Sequence, residues 1–132
     1  MKQTPLEMLT AYVRAFETLR ADEVIPFYDL PCTFIRTDGV WVVQDEPTAL
    51  VLAAHLIEHA KGQGYCRTEV SELTSRALAS GLQELGGVFV RYDASDSEIG
   101  HFGFTYIVRA VSDRWKIVVA VAHDPRTEVT PL

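Results

Sequence analysis

In the last third of the chain, β-branched and aromatic residues recur at every second position, in two segments separated by Ser112, Asp113 and Arg114. In the first segment this period places on one face Phe102, Phe104, Tyr106, Val108 and Ala110. In the second segment it groups Trp115, Ile117, Val119, Val121 and His123. The pattern predicts two long strands joined as a hairpin.

The N-terminal segment shows a helical period instead. Apolar residues at three- and four-residue steps form one stripe, which contains Leu6, Leu9, Val13, Phe16 and Leu19. Thr4, Pro5 and Glu7 have the spacing of a capping box with proline in the first turn. We therefore expect a helix from Thr4 to about Leu19, followed by a short second helix from Ala21 to about Tyr28.

The middle of the chain predicts a small hairpin, a third helix and two further strands. Residues 32–36 and 39–43 are β-prone and flank an Asp-Gly turn. A helix is expected after Asp45-Glu46 up to Gly62, followed by strands over 65–79 and 82–92. The predicted fold class is α+β. We expect a strongly curved antiparallel sheet packed against about three helices, which together form a cone with a central cavity. We expect one domain over 1–132, with a short flexible tail from about residue 124.

Composition narrows the classes of function. The chain has 132 residues, a net charge of −6 and no basic patch, which argues against nucleic acid and against anionic membrane surfaces. No apolar run approaches the ~18 residues that span a bilayer. No secretory signal is visible, so a cytoplasmic location is expected. Cys32 and Cys66 are too few for a disulfide framework, and buried free thiols are predicted.

The order of these elements, together with several short segments, resembles the nuclear-transport-factor-2-like superfamily over nearly the whole chain. The segments are Arg-Ala-Asp-Glu-Val-Ile-Pro-Phe-Tyr at 20–28, Thr-Phe-Ile at 33–35 and Arg-Trp-Lys-Ile-Val at 114–118. The superfamily includes ketosteroid isomerases, polyketide cyclases, dehydratases, epoxide hydrolases and domains that only bind or dimerise. The resemblance implies the cone fold and a homodimer paired through the outer sheet face, but fold does not choose among these activities.

The isomerase pattern of the superfamily is only partly present. Tyr12 matches the first-helix tyrosine that donates to a developing oxyanion. The position of the catalytic aspartate is held by Arg36, and Asp38 follows two residues later in a turn. The late-strand acid is replaced by an uncharged residue near Tyr106 or Ile107. A base must lie within hydrogen-bond reach of its proton, so these replacements argue against isomerase chemistry.

Other residues are candidates for a small-molecule site, each with a structural alternative. Arg36 has the chemistry to bind a carboxylate, phosphate or enolate, or else forms a surface pair with Asp38. Four aromatic residues are expected to line a cavity, or else to belong to the core: Tyr12, Tyr28, Trp41 and Tyr106. His123, at the end of the last strand, is a candidate general base or else a solvated strand-end residue.

The segment from His55 to His59, with Glu58 between them, matches the HxxEH zinc-protease pattern. Metalloproteases with this pattern have much longer chains than this one. The candidate third ligand here, Glu128, lies in a short terminal segment, so no metal is expected. No nucleophile elbow or glycine-rich phosphate loop is present, and no cofactor is expected.

Three functions remain open. The first is a small-molecule-binding domain without catalysis, for an apolar ligand with an anionic or carbonyl group. The second is a cofactor-independent lyase, isomerase or cyclase using Tyr12 as donor, His123 or Asp38 as base and Arg36 as charge stabiliser. The third is a dimerisation or partner-binding domain that works through its sheet surface.

Overall fold

A computed structural model describes residues 3–125 and shows an α+β fold. The helices are α1 (Pro5–Glu17), α2 (Ala21–Val24), which continues into a 3-10 turn (Ile25–Phe27), and α3 (Glu46–Gly62). The strands are β1 (Tyr28–Arg36), β2 (Gly39–Val43), β3 (Tyr65–Ala79), β4 (Leu82–Asp93), β5 (Glu98–Val111) and β6 (Arg114–His123). The predicted fold class is confirmed, while most of the predicted tail lies outside the described residues.

The strands form one curved, unclosed sheet in the order β2-β1-β6-β5-β4-β3. Neighbouring strands are antiparallel with one exception, since β1 pairs with β6 in parallel. The sheet is therefore mixed, where the sequence predicted an antiparallel one. The parallel pair joins residues more than 80 positions apart, for example Thr33 and Val119, and no local pattern marks such a pairing.

The first helix begins as predicted and ends earlier. The Glu7 amide donates to Thr4 Oγ1 at 3.1 Å, which is the capping-box bond. The helix ends at Glu17 rather than at Leu19, which has a φ of +57°. The following helix is also shorter than expected, because a 3-10 turn replaces it over Ile25–Phe27, and the first strand begins at Tyr28 instead of Cys32.

The β5–β6 hairpin contains a bulge that changes which residues share a face. Val108 pairs with Ile117 and Ile107 pairs with Val119, so Val118 is an extra residue in β6. Residues directly opposite each other in a sheet lie on the same face. The predicted common face from Trp115 to His123 is therefore wrong, because the alternation reverses at the bulge.

The two faces of the sheet differ in what covers them. The inner face packs against the helices and includes Phe104, Tyr106, Val108 and Ile117, all buried. The outer face carries the intervening residues of the same strands, among them Thr105, Ile107, Val119, Val121 and His123. The third helix turns mostly small side chains inward, with Ala49, Ala53, Ile57 and Ala60 as its buried residues. Between residues 3 and 125, no helix combines the length and the apolar character needed to cross a bilayer.

Candidate functional site

Three tyrosine side chains meet between the helices and the inner face of the sheet. Tyr12 comes from α1, Tyr28 from the first position of β1 and Tyr106 from the middle of β5, and all three are buried. The Tyr12 and Tyr28 hydroxyls are hydrogen-bonded at 2.5 Å. The Tyr12 ring stands edge-on to both partners, with centroids 5.7 Å from Tyr28 and 6.1 Å from Tyr106. We call these three residues the tyrosine cluster.

Burial keeps the tyrosine cluster protonated. Loss of solvent raises the pKa of Tyr12, and it raises the pKa values of Tyr28 and Tyr106 well above the ordinary tyrosine value. Hydrogen bonds with the other two hydroxyls and the positive charge of Arg91 lower the pKa of Tyr12 and offset part of this effect. At neutral pH the cluster therefore consists of phenols, which both donate and accept hydrogen bonds.

Arg91 is a residue of this region that the sequence analysis missed. It lies in β4 on the inner face, two residues after Phe89. Its guanidinium carbon is 5.0–5.2 Å from the ring centroids of Phe16, Tyr65 and Phe102. Desolvation lowers the pKa of Arg91, and its Nε is enclosed without a hydrogen-bond partner within residues 3–125. The sequence did contain a signal for it. Arg91 lies an even number of positions after Leu85 and after Phe89 in an apolar strand, which places all three on the same face.

The predicted central cavity is largely filled by side chains. Phe89 and Phe104 stack on the inner face with centroids 4.1 Å apart, and Phe104 also packs against Tyr106. A cleft of about 10 Å³ remains between α3 and β1, about enough for one water molecule. Its lining consists of Tyr28, Phe34, Ala49, Leu52, Ala53 and Leu56. The cleft connects the helix–sheet boundary to the tyrosine cluster through the Tyr28 ring.

A second, larger groove lies elsewhere on the molecule. It has a volume of about 260 Å³ and runs between the start of α1 and the β3–β4 hairpin. Leucines dominate its walls, among them Leu6, Leu9, Leu73 and Leu85, and no ionisable side chain lines it. The groove therefore brings no acid, base or charged anchor to a ligand.

Arg36, Asp38 and Trp41 lie together at the exposed tip of the β1–β2 hairpin. Arg36 donates to both carboxylate oxygens of Asp38, at 3.1 and 3.2 Å, and its guanidinium carbon lies 4.9 Å from the Trp41 ring centroid. The surface pair considered for Arg36 is thus present. These residues are separate from the tyrosine cluster, and their roles in ligand binding and catalysis stay predictions.

His123 faces away from the tyrosine cluster. It pairs with Gly103 on the outer face, where its Nε2 is 2.8 Å from Thr105 Oγ1 and its Nδ1 is 2.6 Å from the carbonyl oxygen of Asp124. The ring covers Gly103 so closely that a Cβ there would lie 2.6 Å from it. The sheet therefore separates His123 from Tyr12, and their cooperation in catalysis has no geometric support.

The HxxEH segment lies on the solvent side of α3. His55 and His59 are exposed, and the Glu58 carboxylate accepts from Lys61 at 3.4 Å. Over residues 3–125, no three His, Cys, Asp or Glu side chains converge as a metal ion would require. Glu128, the distant candidate ligand, falls outside the described residues.

The two cysteines differ in exposure, which corrects the prediction that both are buried. Cys32 is buried in the core and Cys66 is exposed in β3. Burial, reinforced by the nearby Asp29 carboxylate, raises the pKa of the Cys32 thiol to about 12. Since the thiolate is the reactive form, only Cys66 has the properties of an accessible nucleophile.

We expect iodoacetamide at pH 8 to label Cys66 rapidly and Cys32 only after unfolding. Mass spectrometry of the native protein should show one adduct, and a Cys66→Ser variant should show none on the same timescale. Native labelling of Cys32 at the rate of the unfolded chain would contradict this account.

The raised pKa of Cys32 also makes stability depend on pH. Because this pKa is higher in the folded state than its ordinary value of 9.0, the contribution of Cys32 to stability is present below pH 9 and lost toward pH 12.

Comparison with known proteins identifies the family. Residues 6–125 match the model of the family described as NTF2-like protein (DUF6841). The chain belongs to this NTF2-like family. The resemblance predicted from the sequence is thereby confirmed. A search among curated proteins finds no significant match.

Solved structures support the same fold across distant sequences. The chain is similar to an NTF2-like protein of unknown function from Shewanella oneidensis, with a TM-score of 0.66, 16% identity and coverage of 90% of this chain and 95% of that one. A domain of unknown function with a cystatin-like fold from Nostoc punctiforme has a TM-score of 0.70, 14% identity and coverage of 91% and 74%. An NTF2-like protein from Novosphingobium aromaticivorans has a TM-score of 0.69, 10% identity and coverage of 89% and 77%. At these identities the likeness establishes the fold alone.

Proposed function

We propose that this NTF2-like protein is a small-molecule-binding domain whose ligand enters between α3 and β1 and reaches the tyrosine cluster. The ligand is an apolar compound with a carbonyl or anionic group. The observation that carries the proposal is the tyrosine cluster itself, which concentrates three hydroxyls in a mostly apolar interior. A few polar groups in an apolar enclosure are the usual composition of a small-molecule site.

The chemistry of the cluster suits a ligand oxygen. The hydroxyls stay protonated at neutral pH, because burial raises the pKa values of all three tyrosines. A phenol that donates to a carbonyl or carboxylate contributes about 0.5–1.5 kcal/mol in a buried site, and more when the acceptor is charged. Aromatic rings around the cluster, including Phe27 and Phe34, offer apolar contact to the rest of the ligand.

Entry requires the cleft beside α3 to widen. The helix side of the cleft includes Ala49 and Ala53, whose small side chains would need to move little for the cleft to open. Phe34 and Leu56 also line the cleft and are only partly buried, and their rotation would expose no polar side-chain atom. Binding by displacement of these side chains is consistent with the small volume of the closed cleft.

Binding without catalysis is favoured over the lyase, isomerase or cyclase alternative. Over residues 3–125, the carboxylates and imidazoles make no hydrogen bond to the hydroxyls of the tyrosine cluster. The predicted bases do not reach it either, since Asp38 is held by Arg36 and His123 lies on the outer face. Proton transfer needs a base within reach of the substrate, so the cluster supports orientation of a ligand rather than its deprotonation.

A titration of the 132-residue chain with benzamide, a neutral carbonyl probe, tests the proposed function. We expect saturable NMR shift changes at cleft residues such as Tyr28, Phe34 and Leu56. An Ala53→Leu substitution should raise the Kd roughly 10-fold or more, because the larger side chain fills the cleft. Ala54→Leu is the matched control, since Ala54 is exposed on the same helix and should leave the Kd unchanged.

Two results would contradict the proposal. One is the absence of any saturable shift in the wild-type protein with either benzamide or its anionic analogue benzoate, each titrated up to its solubility limit. The other is equal affinity in the wild type and in a folded Ala53→Leu variant, which would place the probe elsewhere.

We infer further that the protein forms a homodimer through the outer sheet face. Two rows of side chains cross β2, β1, β6 and β5 on this face without a charged residue. They consist of Val42, Thr33, Val119 and Ile107, and of Val40, Ile35, Val121 and Thr105. Val40 and Val42 are 63% and 54% exposed. An apolar face of this kind is covered efficiently by its own copy across a two-fold axis.

A further inference from the structure

Arg91 carries a positive charge that no carboxylate balances within residues 3–125. Its side chain makes no salt bridge or hydrogen bond to another described residue, and its enclosed Nε has no partner. The three aromatic rings around the guanidinium, those of Phe16, Tyr65 and Phe102, attract the charge but accept no conventional hydrogen bond from it.

A carboxylate in the same region is already engaged. Glu17, at the end of α1, raises the pKa of Tyr65 by its negative charge, whereas the positive charge of Arg91 lowers that pKa. Its Oε1 is 2.8 Å from Arg14 and its Oε2 accepts from the Thr68 amide at 3.0 Å. Arg14 also donates to the Thr68 carbonyl at 3.2 Å, which fixes this network to the edge of β3. The fold thus supplies a counter-charge for the exposed Arg14 and leaves Arg91 without one.

Arg91 is half-buried and its Nε is enclosed, so its guanidinium has lost part of its hydration without gaining a counter-ion. Partial removal of a charge from water is unfavourable, and aromatic rings offset it without supplying a conventional hydrogen-bond acceptor. Arginine presents a planar fork of donors that fits two oxygens of one carboxylate. The group that would balance Arg91 best is therefore a planar oxyanion that brings its own apolar body into the aromatic surroundings.

The geometry points to Arg91 as the anion anchor of the ligand site, which makes the ligand an aromatic or similarly flat apolar carboxylate. This assignment rests on the proposed function, because it names the ligand class of the same site. Arg91 contacts Phe16, which lies one helical turn after Tyr12 on α1, so the guanidinium and the tyrosine cluster are neighbours between the helices and the inner face of the sheet. The guanidinium binds the carboxylate, and the neutral phenols donate to its oxygens.

Benzoate and benzamide test the assignment, since they share a shape and differ in charge. In NMR titrations of the 132-residue chain at pH 7, we expect a Kd for benzoate at least about 10-fold lower than for benzamide, as for a hydrogen bond to a charged group. Arg91→Gln should abolish this preference, so that the Kd values of benzoate and benzamide agree within about 2-fold. Arg76→Gln is the matched control, because Arg76 is an exposed arginine on β3, and it should keep the preference.

The wild-type comparison needs no variant and can overturn the assignment even if Arg91→Gln fails to fold. Benzamide binding without a preference for benzoate would overturn the anion assignment and leave the proposed function standing. A benzoate preference that persists in Arg91→Gln would overturn it as well. Failure of both probes to bind would overturn the proposed function together with the assignment.

Thermal unfolding of Arg91→Met separates an anchor from a structural residue. If Arg91 serves to bind a ligand, the methionine variant should have a thermal unfolding midpoint at or above the wild-type value. The reason is that an apolar side chain fits the aromatic surroundings without a desolvated charge. A marked fall of the midpoint would assign Arg91 to the packing of the core and overturn the proposal.

Discussion

Replacing Phe104 by alanine is expected to lower the free energy of unfolding by about 3–5 kcal/mol. Phe104 is 1% exposed, stacks on Phe89 and also contacts Tyr106. Its ring lies over Gly87, where an added Cβ would come within 3.0 Å of it, so the backbone of β4 is part of the same packing unit. Truncation would leave a cavity that the rigid sheet cannot close. Urea denaturation followed by circular dichroism measures the change.

Val51→Ala is the matched control for this experiment. Val51 is 73% exposed on α3, so its truncation should change the free energy of unfolding by no more than about 0.5 kcal/mol. A loss below about 1 kcal/mol for Phe104→Ala would show that the space between helices and sheet is less tightly packed than the aromatic contacts indicate.

Replacing Val121 by glutamate is expected to convert a homodimer into a monomer. Val121 lies on the outer face between Ile35 of β1 and Thr105 of β5, in the middle of one of the two uncharged rows. In a two-fold interface the substitution would bury two carboxylates without partners, at about 3–5 kcal/mol each, which corresponds to an increase of the dimer Kd by roughly 10⁴-fold or more. Sedimentation equilibrium over a concentration series measures it.

The control for this substitution is Val51→Glu, which adds the same charge to the exposed surface of α3. It should leave the association state as it is in the wild type. A monomeric wild-type protein at high concentration would refute the homodimer, and a Val121→Glu dimer of unchanged Kd would place the interface on another surface.

The two proposals use opposite faces of one sheet. Alternation along β5 sends Tyr106 to the inner face and Thr105 to the outer face, so a ligand site and a dimer interface fit on the same strands. This arrangement predicts that dimer disruption by Val121→Glu and probe binding at the tyrosine cluster are separable. The cytoplasmic location and the single-domain organisation over 1–132 stay predictions.

Local sequence patterns determined much of the fold. The capping box at Thr4 and Glu7, the Asp-Gly turn at Asp38 and the alternation from Phe102 to Val108 each involve residues a few positions apart. Such signals act through local backbone geometry, and all three predicted their elements correctly. Tyr106 was likewise identified by its phase on a strand, whereas Tyr12 was identified by its match to the first-helix tyrosine of the superfamily. For both, the sequence left open whether they line a cavity or fill the core.

Only the tertiary structure decided the composition of the candidate site. The bulge at Val118 turns His123 to the outer face, and it depends on pairing between β5 and β6 rather than on any turn signal. The parallel pairing of β1 with β6 brings Tyr28 to Tyr12, and the packing of α1 and of the starts of β3 and β5 puts three aromatic rings around Arg91. These contacts join segments that are far apart in the chain, and their stability comes from burial shared by several elements. A pattern of period two or 3.6 reports which side of an element is apolar, but not which distant side chains that side meets.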